Sequence, residues 1–265
     1  MNNIDTEQVQ ELHLWFSQYA ESFKDGDKVL RDSVILKENH TRNVCKEIDL
    51  IGRELGLNEN ELLISDCMAL LHDVGRFEQF RKYKTFSDSR SENHSELGLR
   101  IIKEFDVLRN FSDDVADLIC RAVRYHNRAS LPDDETKECI YYSKLLRDAD
   151  KLDIWRVVIE YYHRKDRKKN GTIELNLPDT LGYTQKVYDQ VIKHEIVMSS
   201  NMKNLNDFKL LQIGWVFDIN FKPALRAVKE RKYVEQICEV LPVSDETARV
   251  LREIQGYYRS ELEVG

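Results

Sequence analysis

Apolar residues recur every three or four positions along most of this 265-residue chain. That is the period of a helix that buries one face and leaves the other in water. The pattern predicts helices over about 5–23, 30–56, 58–73, 94–105, 112–126 and 138–165, followed by further helices from about Thr184 to the Tyr257 region. We therefore expect an all-α protein whose core forms between packed helices.

Two stretches depart from the helical period. Residues 76–90 show no clean period and are predicted to form a long loop, with Gly75 as the C-terminal cap of the helix before them. Residues 163–180 hold a basic run at 164–169, an Asn-Gly turn and a short alternating stretch. This second stretch indicates an excursion from the bundle and leaves a small hairpin open.

Composition supports a helical globular protein. The chain has only 10 Gly and 4 Pro, which disfavours collagen-like, low-complexity and loop-dominated all-β proteins, and 42% of its residues are apolar, enough for a core. No internal repeat or composition shift marks a second domain. We expect one all-helical domain over 1–265, with a core at about 30–165, an extra N-terminal helix and a C-terminal helical extension at about 166–265.

Charge and cysteine usage limit the partners and the location. The formal net charge of −7 argues against a long nucleic acid as partner, because phosphate backbones require a basic field, whereas a small anion needs only a local basic pocket. The five cysteines are widely spaced without a C-x-x-C pair, which is typical of buried free thiols in a reducing compartment. With no signal-peptide pattern and no 18-residue apolar run, we expect a cytoplasmic protein without a membrane partner.

Histidines carry the strongest chemical signal. Four of the seven share a helix face with apolar residues, namely His40, His72, His94 and His126. One buried histidine is usually a hydrogen-bonded core residue, but four on separate helices favour a shared site. Asp150 lies on an apolar face of its helix and needs a buried counter-charge, whereas Asp148 aligns with Lys144 and Lys151 and is expected to be solvated.

The pair His72-Asp73 sets a geometric condition. Neighbours on a regular helix point about 100° apart, so both side chains reach one site only where the helix ends. Gly75 is expected to supply that end. Imidazole and carboxylate donors without a thiolate suit Fe, Mn, Zn, Co or Ni. Asp73 has two oxygens and can bridge two ions, so we expect one or two divalent metals per chain.

The order of four of these residues resembles a known family. His40, then His72-Asp73 within LLHDVGRF, then Asp150 within ADKL, are similar to the H…HD…D signature of the HD-domain superfamily of metal-dependent phosphohydrolases. The resemblance covers about residues 35–160 and implies an all-helical fold of five or more packed helices. It also implies that these four residues bind one metal ion.

Two further segments resemble the extra histidine segments of the dinuclear members of that superfamily. They are NHSELGLRII around His94 and VRYHNR around His126. The resemblance implies that these two histidines hold a second ion, with Asp73 bridging. The cyclic-dinucleotide phosphodiesterase branch fits poorly, because the chain lacks its G-Y-P extension and has Asn127 after His126 in place of paired histidines.

The activity that the resemblance implies is hydrolysis of a phosphoester or phosphoanhydride bond in a nucleotide or other small phosphorylated metabolite. Such metals polarise phosphoryl oxygens and activate a water molecule, so no protein nucleophile is required. Asp73 is the expected catalytic ligand. Arg76, three residues from Asp73, and Lys151, next to Asp150, are candidate cations for the substrate phosphates, although Lys151 can instead pair with Asp148.

Two alternatives stay open. The six-ligand pattern also resembles that of the di-iron oxygenases of the superfamily, which iron content and oxygen dependence would distinguish. A non-catalytic sensor that binds a nucleotide without turnover predicts tight binding and no product. The C-terminal third matches no motif, and three roles are open for it: a wall of the pocket, a specificity element or the interface of a homodimer.

Overall fold

The computed structural model describes residues 3–166 and 169–263. Within these ranges the chain forms α-helices, short 3-10 turns and loops, without a strand. The prediction of an all-α fold is confirmed. The chain divides into two compact units, Met1–Asp153 and Ile154–Gly265. The single domain expected from the sequence stays a prediction beside this division.

The first unit contains the helices that carry the candidate ligands. They are α1 (Thr6–Glu21), α2 (Lys28–Glu54), α3 (Glu59–Leu71), α4 (Gly75–Tyr83), α5 (His94–Glu104), α6 (Asp113–Tyr125) and the first part of α7 (Lys137–Tyr162). Asp5 and Gln8 form a capping box at the start of α1, and Asn58 and Glu61 form another at the start of α3. Local sequence therefore determines where both helices begin.

Helix α3 lies at the centre of the first unit. It packs against α1, α2 and α6, while α4 packs against α2 and α5, and α5 packs against α6. Residues 67–71 at its C-terminal end are all fully buried, as expected for a helix that is enclosed on every side. His72 and Asp73 follow this end and are buried with it.

The predicted loop over 76–90 was wrong in its first half. Residues Gly75–Tyr83 form α4, and a 3-10 turn follows at Asp88–Arg90. The helical period is hidden because two inward positions of α4, Arg76 and Gln79, are polar and hydrogen-bonded instead of apolar. A search for apolar residues every three or four positions passes over such a helix.

The structural role of Gly75 differs from the predicted one. It does not cap α3 but begins α4, at the place where α4 meets α5. A Cβ on Gly75 would lie 2.1 Å from the backbone oxygen of His94 and 2.7 Å from the backbone nitrogen of Gly98. Glycine is therefore required for the close approach of these two helices.

The second unit begins within α7 and continues with α8 (Gln185–Ile192), α9 (Leu205–Gly214), α10 (Lys222–Glu230), α11 (Tyr233–Cys238) and α12 (Asp245–Leu262). Helix α9 packs against α8 and α11, and α12 packs against α8, α10 and α11. Ser244 accepts a hydrogen bond from the backbone of Thr247 and caps α12, as predicted. Among the described residues, no helix combines the length and apolar character needed to cross a membrane.

The hairpin that the sequence left open does not form in the described part of 163–180. The backbone oxygen of Asn170 accepts hydrogen bonds from the N–H groups of Ile173 and Glu174, and that of Gly171 accepts from Asn176. These local bonds close successive turns, so the backbone groups are not left to pair as strands. The basic run at 164–169 lies partly outside the described residues.

Candidate metal centre

All six residues predicted as metal ligands come together in the first unit. His40 lies on α2, His72 and Asp73 follow α3, His94 is the first residue of α5, His126 follows α6, and Asp150 lies on α7. Adjacent His72 and Asp73 both reach the site, directly after the last residue of α3, Leu71. The site is buried, and its most exposed ligand is Asp150, whose side chain is 17% exposed.

The ligand atoms form two groups, and within each group they lie within 4.8 Å of one another. Group A is His40, His72 and Asp150, and group B is Asp73, His94 and His126. In group A, Oδ1 of Asp150 lies 3.0 Å from Nε2 of His40 and 3.7 Å from Nε2 of His72. Two atoms each about 2.1 Å from one ion at a right angle are about 3.0 Å apart. The group therefore has the dimensions of a metal site.

Asp73, a member of group B, also faces the two histidines of group A. In group B, the Nε2 atoms of His94 and His126 are 2.9 Å apart and lie 3.4 and 3.9 Å from Oδ1 of Asp73. The other oxygen of Asp73, Oδ2, lies 3.6 Å from Nε2 of both His40 and His72. Asp73 thus turns one oxygen toward each set of imidazoles.

Every ring in the site has Nδ1 against an oxygen that accepts a hydrogen bond. The distances from Nδ1 are 2.7 Å for His40 to Asp153, 2.7 Å for His94 to Asp88, 2.7 Å for His72 to the backbone oxygen of Ala69, and 2.6 Å for His126 to that of Val123. Nδ1 must therefore carry the proton, which leaves the lone pair of the neutral ring on Nε2. All four Nε2 atoms face the centre of the site, as in metal-binding histidines.

This arrangement of inward lone pairs and carboxylates suits a cation. Among the described residues, Nε2 of His72 is buried without a hydrogen-bond partner, and Nε2 of His40 has a carboxylate oxygen of Asp150 at 3.0 Å. The Nε2 atoms of His94 and His126 face each other as two acceptors. A buried polar atom left unpaired costs about 1–3 kcal/mol. A divalent ion satisfies such nitrogens together with the carboxylates, so the residues fit the metals that accept this donor set.

The pKa values agree with neutral rings in group B and an ionised carboxylate beside them. Burial is the main cause that lowers the pKa of His94 and of His126 to about 4. Burial opposes ionisation of Asp73, but neighbouring charges, led by Lys37, hold its pKa well below its usual range. Near pH 7 these three ligands are in the protonation states that metal binding requires.

His40 differs from the other rings. Burial and the charge of Lys37 oppose its charged form, yet hydrogen bonds with Asp150 and Asp153 outweigh them and raise the pKa of His40. A positive charge is thus favoured beside these two carboxylates. A proton or a metal ion can supply it.

Arg76, predicted to bind substrate phosphates, lies at the site but is engaged with protein groups. Its Nε lies 3.3 Å from Oδ1 of Asp73, and its Nη1 donates to Asp88, Gln79 and the backbone oxygen of Phe86. These contacts connect α4 to the loop that follows it.

Helix α7 corrects one prediction. Asp148, expected to be solvated, is fully buried, and Lys151 is buried as well. The alignment of Asp148 with two lysines predicted an exposed helix face. That prediction is wrong because α7 has buried residues on both faces of the Asp148–Lys151 turn. The catalytic role of Lys151 and its pairing with Asp148 stay predictions.

Three charged residues that contact the ligands were missed. They are Lys37, whose Nζ lies 2.6 Å from Oδ2 of Asp73, Asp153 behind His40, and Asp88 behind His94. Helix geometry could have found two of them, because Lys37 precedes His40 by three residues and Asp153 follows Asp150 by three. Asp88 lies in a loop, where no period indicates which side chains meet.

Comparison with known proteins gives one match. Residues 38–155 match the family model of the HD domain, and this segment contains all six candidate ligands. Neither curated proteins nor solved structures gave a match to the chain.

Proposed function

Because residues 38–155 of this chain are an HD domain, a family made up mostly of metal-dependent hydrolases, we propose that the protein is a metal-dependent phosphohydrolase. Its substrate is a small phosphorylated metabolite such as a nucleotide, and the bond cleaved is a phosphoester or a phosphoanhydride. One observation carries the proposal: Asp73 turns an oxygen to each of two buried sets of imidazoles. A carboxylate in this position supports a pair of ions, one in each group.

The chain's own residues prepare the site for such ions. Hydrogen bonds at Nδ1 hold the rings with Nε2 inward, and charges around Asp73 keep its carboxylate ionised. When bound, the ions supply polarisation of the phosphoryl oxygens and a bound water of lowered pKa. The sequence carries no G-x-S-x-G elbow or Walker P-loop that would indicate another route.

Lys37 is the cation that we assign to the substrate phosphate. Its side chain is 17% exposed and lies over the ring of Phe86, at 5.4 Å from the ring centroid, beside Asp73. An ammonium group has three N–H donors, so a contact with Asp73 leaves donors for a phosphoryl oxygen. Arg76 is less suited to this role, because its Nη1 already serves three protein acceptors.

The donor set supports a second candidate, a di-iron oxygenase. Imidazoles and carboxylates without a thiolate are ligands that iron accepts as readily as manganese or zinc. The two candidates use the same geometry and differ in the ion and in the need for oxygen. A nucleotide sensor without turnover differs from both in giving no product.

The test begins with elemental analysis of protein purified without added metal or chelator. We expect two ions per chain. The loaded protein is then incubated, with and without oxygen, with a panel of nucleotides and phosphate monoesters, and inorganic phosphate, substrate consumption and substrate binding are measured. His94→Ala is the matched variant, and His163→Ala, an exposed histidine of the second unit, is the control.

The outcomes distinguish the three candidate functions. Phosphate release without oxygen that fails in His94→Ala supports the phosphohydrolase. Turnover that requires both iron and oxygen supports the oxygenase, and tight binding without product supports the sensor. A chain that takes up no ion, even after metal is added back, overturns both enzyme candidates.

A further inference from the structure

The two ligand groups share one internal plan. Each contains one histidine whose Nδ1 donates to a backbone oxygen and one whose Nδ1 donates to a carboxylate. In group A the carboxylate is Asp153 on α7, which is 1% exposed. In group B it is Asp88, whose side chain is 31% exposed and which lies in the 3-10 turn between α4 and α5. A helix orients His40, whereas a loop orients His94.

Both oxygens of Asp88 are held by donors. Oδ2 accepts from Nδ1 of His94 at 2.7 Å and from Nδ2 of Asn127 at 3.3 Å. Oδ1 accepts from Nη1 of Arg76 at 2.9 Å and from Nε2 of Gln79 at 2.8 Å. The carboxylate cannot turn away from His94 without losing hydrogen bonds on both oxygens.

The loop has anchors that do not involve Asp88. The buried Gln79 also donates to Oγ of Ser91 and to the backbone oxygen of Glu92, both at 2.9 Å. Arg76 donates to the backbone oxygen of Phe86 at 2.6 Å. These contacts hold the loop on both sides of Asp88. The loop is therefore anchored without the contact between Asp88 and His94, and that contact is available to orient the histidine ring.

We propose that Asp88 is a positioning residue that keeps Nε2 of His94 directed into group B, and that group B consequently binds its ion more weakly than group A. The inference rests on the proposed function, because it assumes one ion in each group. A carboxylate behind a metal-binding histidine sets the ring orientation and raises the basicity of the ligand. A turn opens more readily than a buried helix, so the ion held through Asp88 exchanges first.

Cobalt(II) titration of the metal-free full chain tests this, with visible absorption as the readout. The wild type should bind two ions in two steps. Asp88→Asn retains the shape but places an amide among donors, and should weaken the second step by about 10–100-fold while leaving the first unchanged. Ser89→Ala, at an exposed position of the same turn, is the matched control and should leave both steps unchanged.

Circular dichroism and the thermal midpoint of the metal-free variants separate positioning from a structural role. A positioning residue changes the second step with little change in helix content or midpoint. If Asp88→Asn weakens both steps equally, or leaves both unchanged, the proposal is overturned. A fall in the metal-free midpoint that accompanies equal weakening identifies a structural residue.

The same titration distinguishes failure of this inference from failure of the two-ion function. A wild type that binds one ion overturns the two-ion arrangement. If that ion is lost in Asp88→Asn, the positioning role of Asp88 stands. If it is lost in His40→Ala but kept in Asp88→Asn, the role of Asp88 falls as well. A wild type that binds no cobalt overturns both.

Discussion

Group A and group B present similar donors but are built from different parts of the fold. Group A has His40 within the 27-residue helix α2 and Asp150 within α7, and its backing carboxylate, Asp153, is buried. Group B takes its two rings from helix ends, with His94 as the first residue of α5 and His126 directly after α6. Packing between long helices fixes two of the three group A residues, since His72 alone follows a helix end, whereas all three group B residues lie at helix ends.

The difference teaches where the site is vulnerable. A ligand within a long helix moves only if the helix moves, and many buried contacts oppose that motion. A ligand at a helix end depends on a few local hydrogen bonds and on the close contact of α4 with α5. We therefore expect group A to tolerate local changes that disable group B.

The largest effect is expected where the two groups meet. Asp73→Asn keeps the side-chain shape but removes the charge that faces both sets of imidazoles, so both ions should be lost or strongly weakened. Phosphate release should fall by on the order of a thousandfold or more, since metal ions contribute several kcal/mol to such reactions. Asp133→Asn, at an exposed loop position, is the control for elemental analysis and assay. Loss of one ion alone would show that Asp73 serves a single group.

Periodicity predicted residues of both groups better than the charged residues behind them. It found His40 and Asp150 within long helices, and His94 and His126 at helix ends, because their burial repeats with that of apolar neighbours. It missed α4, since the inward positions Arg76 and Gln79 are polar. It also missed Asp88, because a loop has no period from which a contact can be inferred.

Asp148 shows a second limit. Periodicity assigns one face to the interior, and a helix enclosed on more than one side violates that assumption. The buried Asp148 of α7 was for that reason expected in solvent. The family resemblance places Asp150 on the same helix without depending on how that helix is enclosed, because it rests on the order of the ligands, but it carries no information on Asp148.

The next largest effect is expected from a substitution that removes a ligand of group B only. His94→Ala should reduce the metal content from two ions to one and phosphate release by about a hundredfold or more, because one of two ions is lost. Helix content should be unchanged. Elemental analysis, cobalt titration and circular dichroism measure these effects, with His163→Ala as the control. Loss of both ions would show that group A depends on group B, contrary to the comparison.

A smaller effect on metal binding by group B is expected from a change in the backbone contact between α4 and α5. Gly75→Ala places a methyl group against the backbone oxygen of His94, so α4 and α5 must separate. We expect the free energy of unfolding to fall by about 1–3 kcal/mol. The second cobalt step should weaken more than the first, since the displaced residue is itself a group B ligand.

Gly256→Ala is the matched control for that substitution. It lies within α12, and nothing lies within 4 Å of an added Cβ. Alanine has the higher helix propensity, so the control should raise the free energy of unfolding by up to about 1 kcal/mol. Urea unfolding of the metal-free chains measures both. Equal weakening of the two cobalt steps in Gly75→Ala would contradict the distinction between the groups.

The smallest expected effect is on substrate binding, with no effect on metal binding by either group. Lys37→Met removes the ammonium 2.6 Å from Oδ2 of Asp73. If Lys37 binds the phosphate, KM should rise about tenfold, the value of one charge-assisted hydrogen bond, while both cobalt steps remain. Lys46→Met, at an exposed position of the same helix, should change neither. A lost cobalt step with unchanged KM would instead place Lys37 among the groups that organise the ligands, and the substrate phosphate would need another cation.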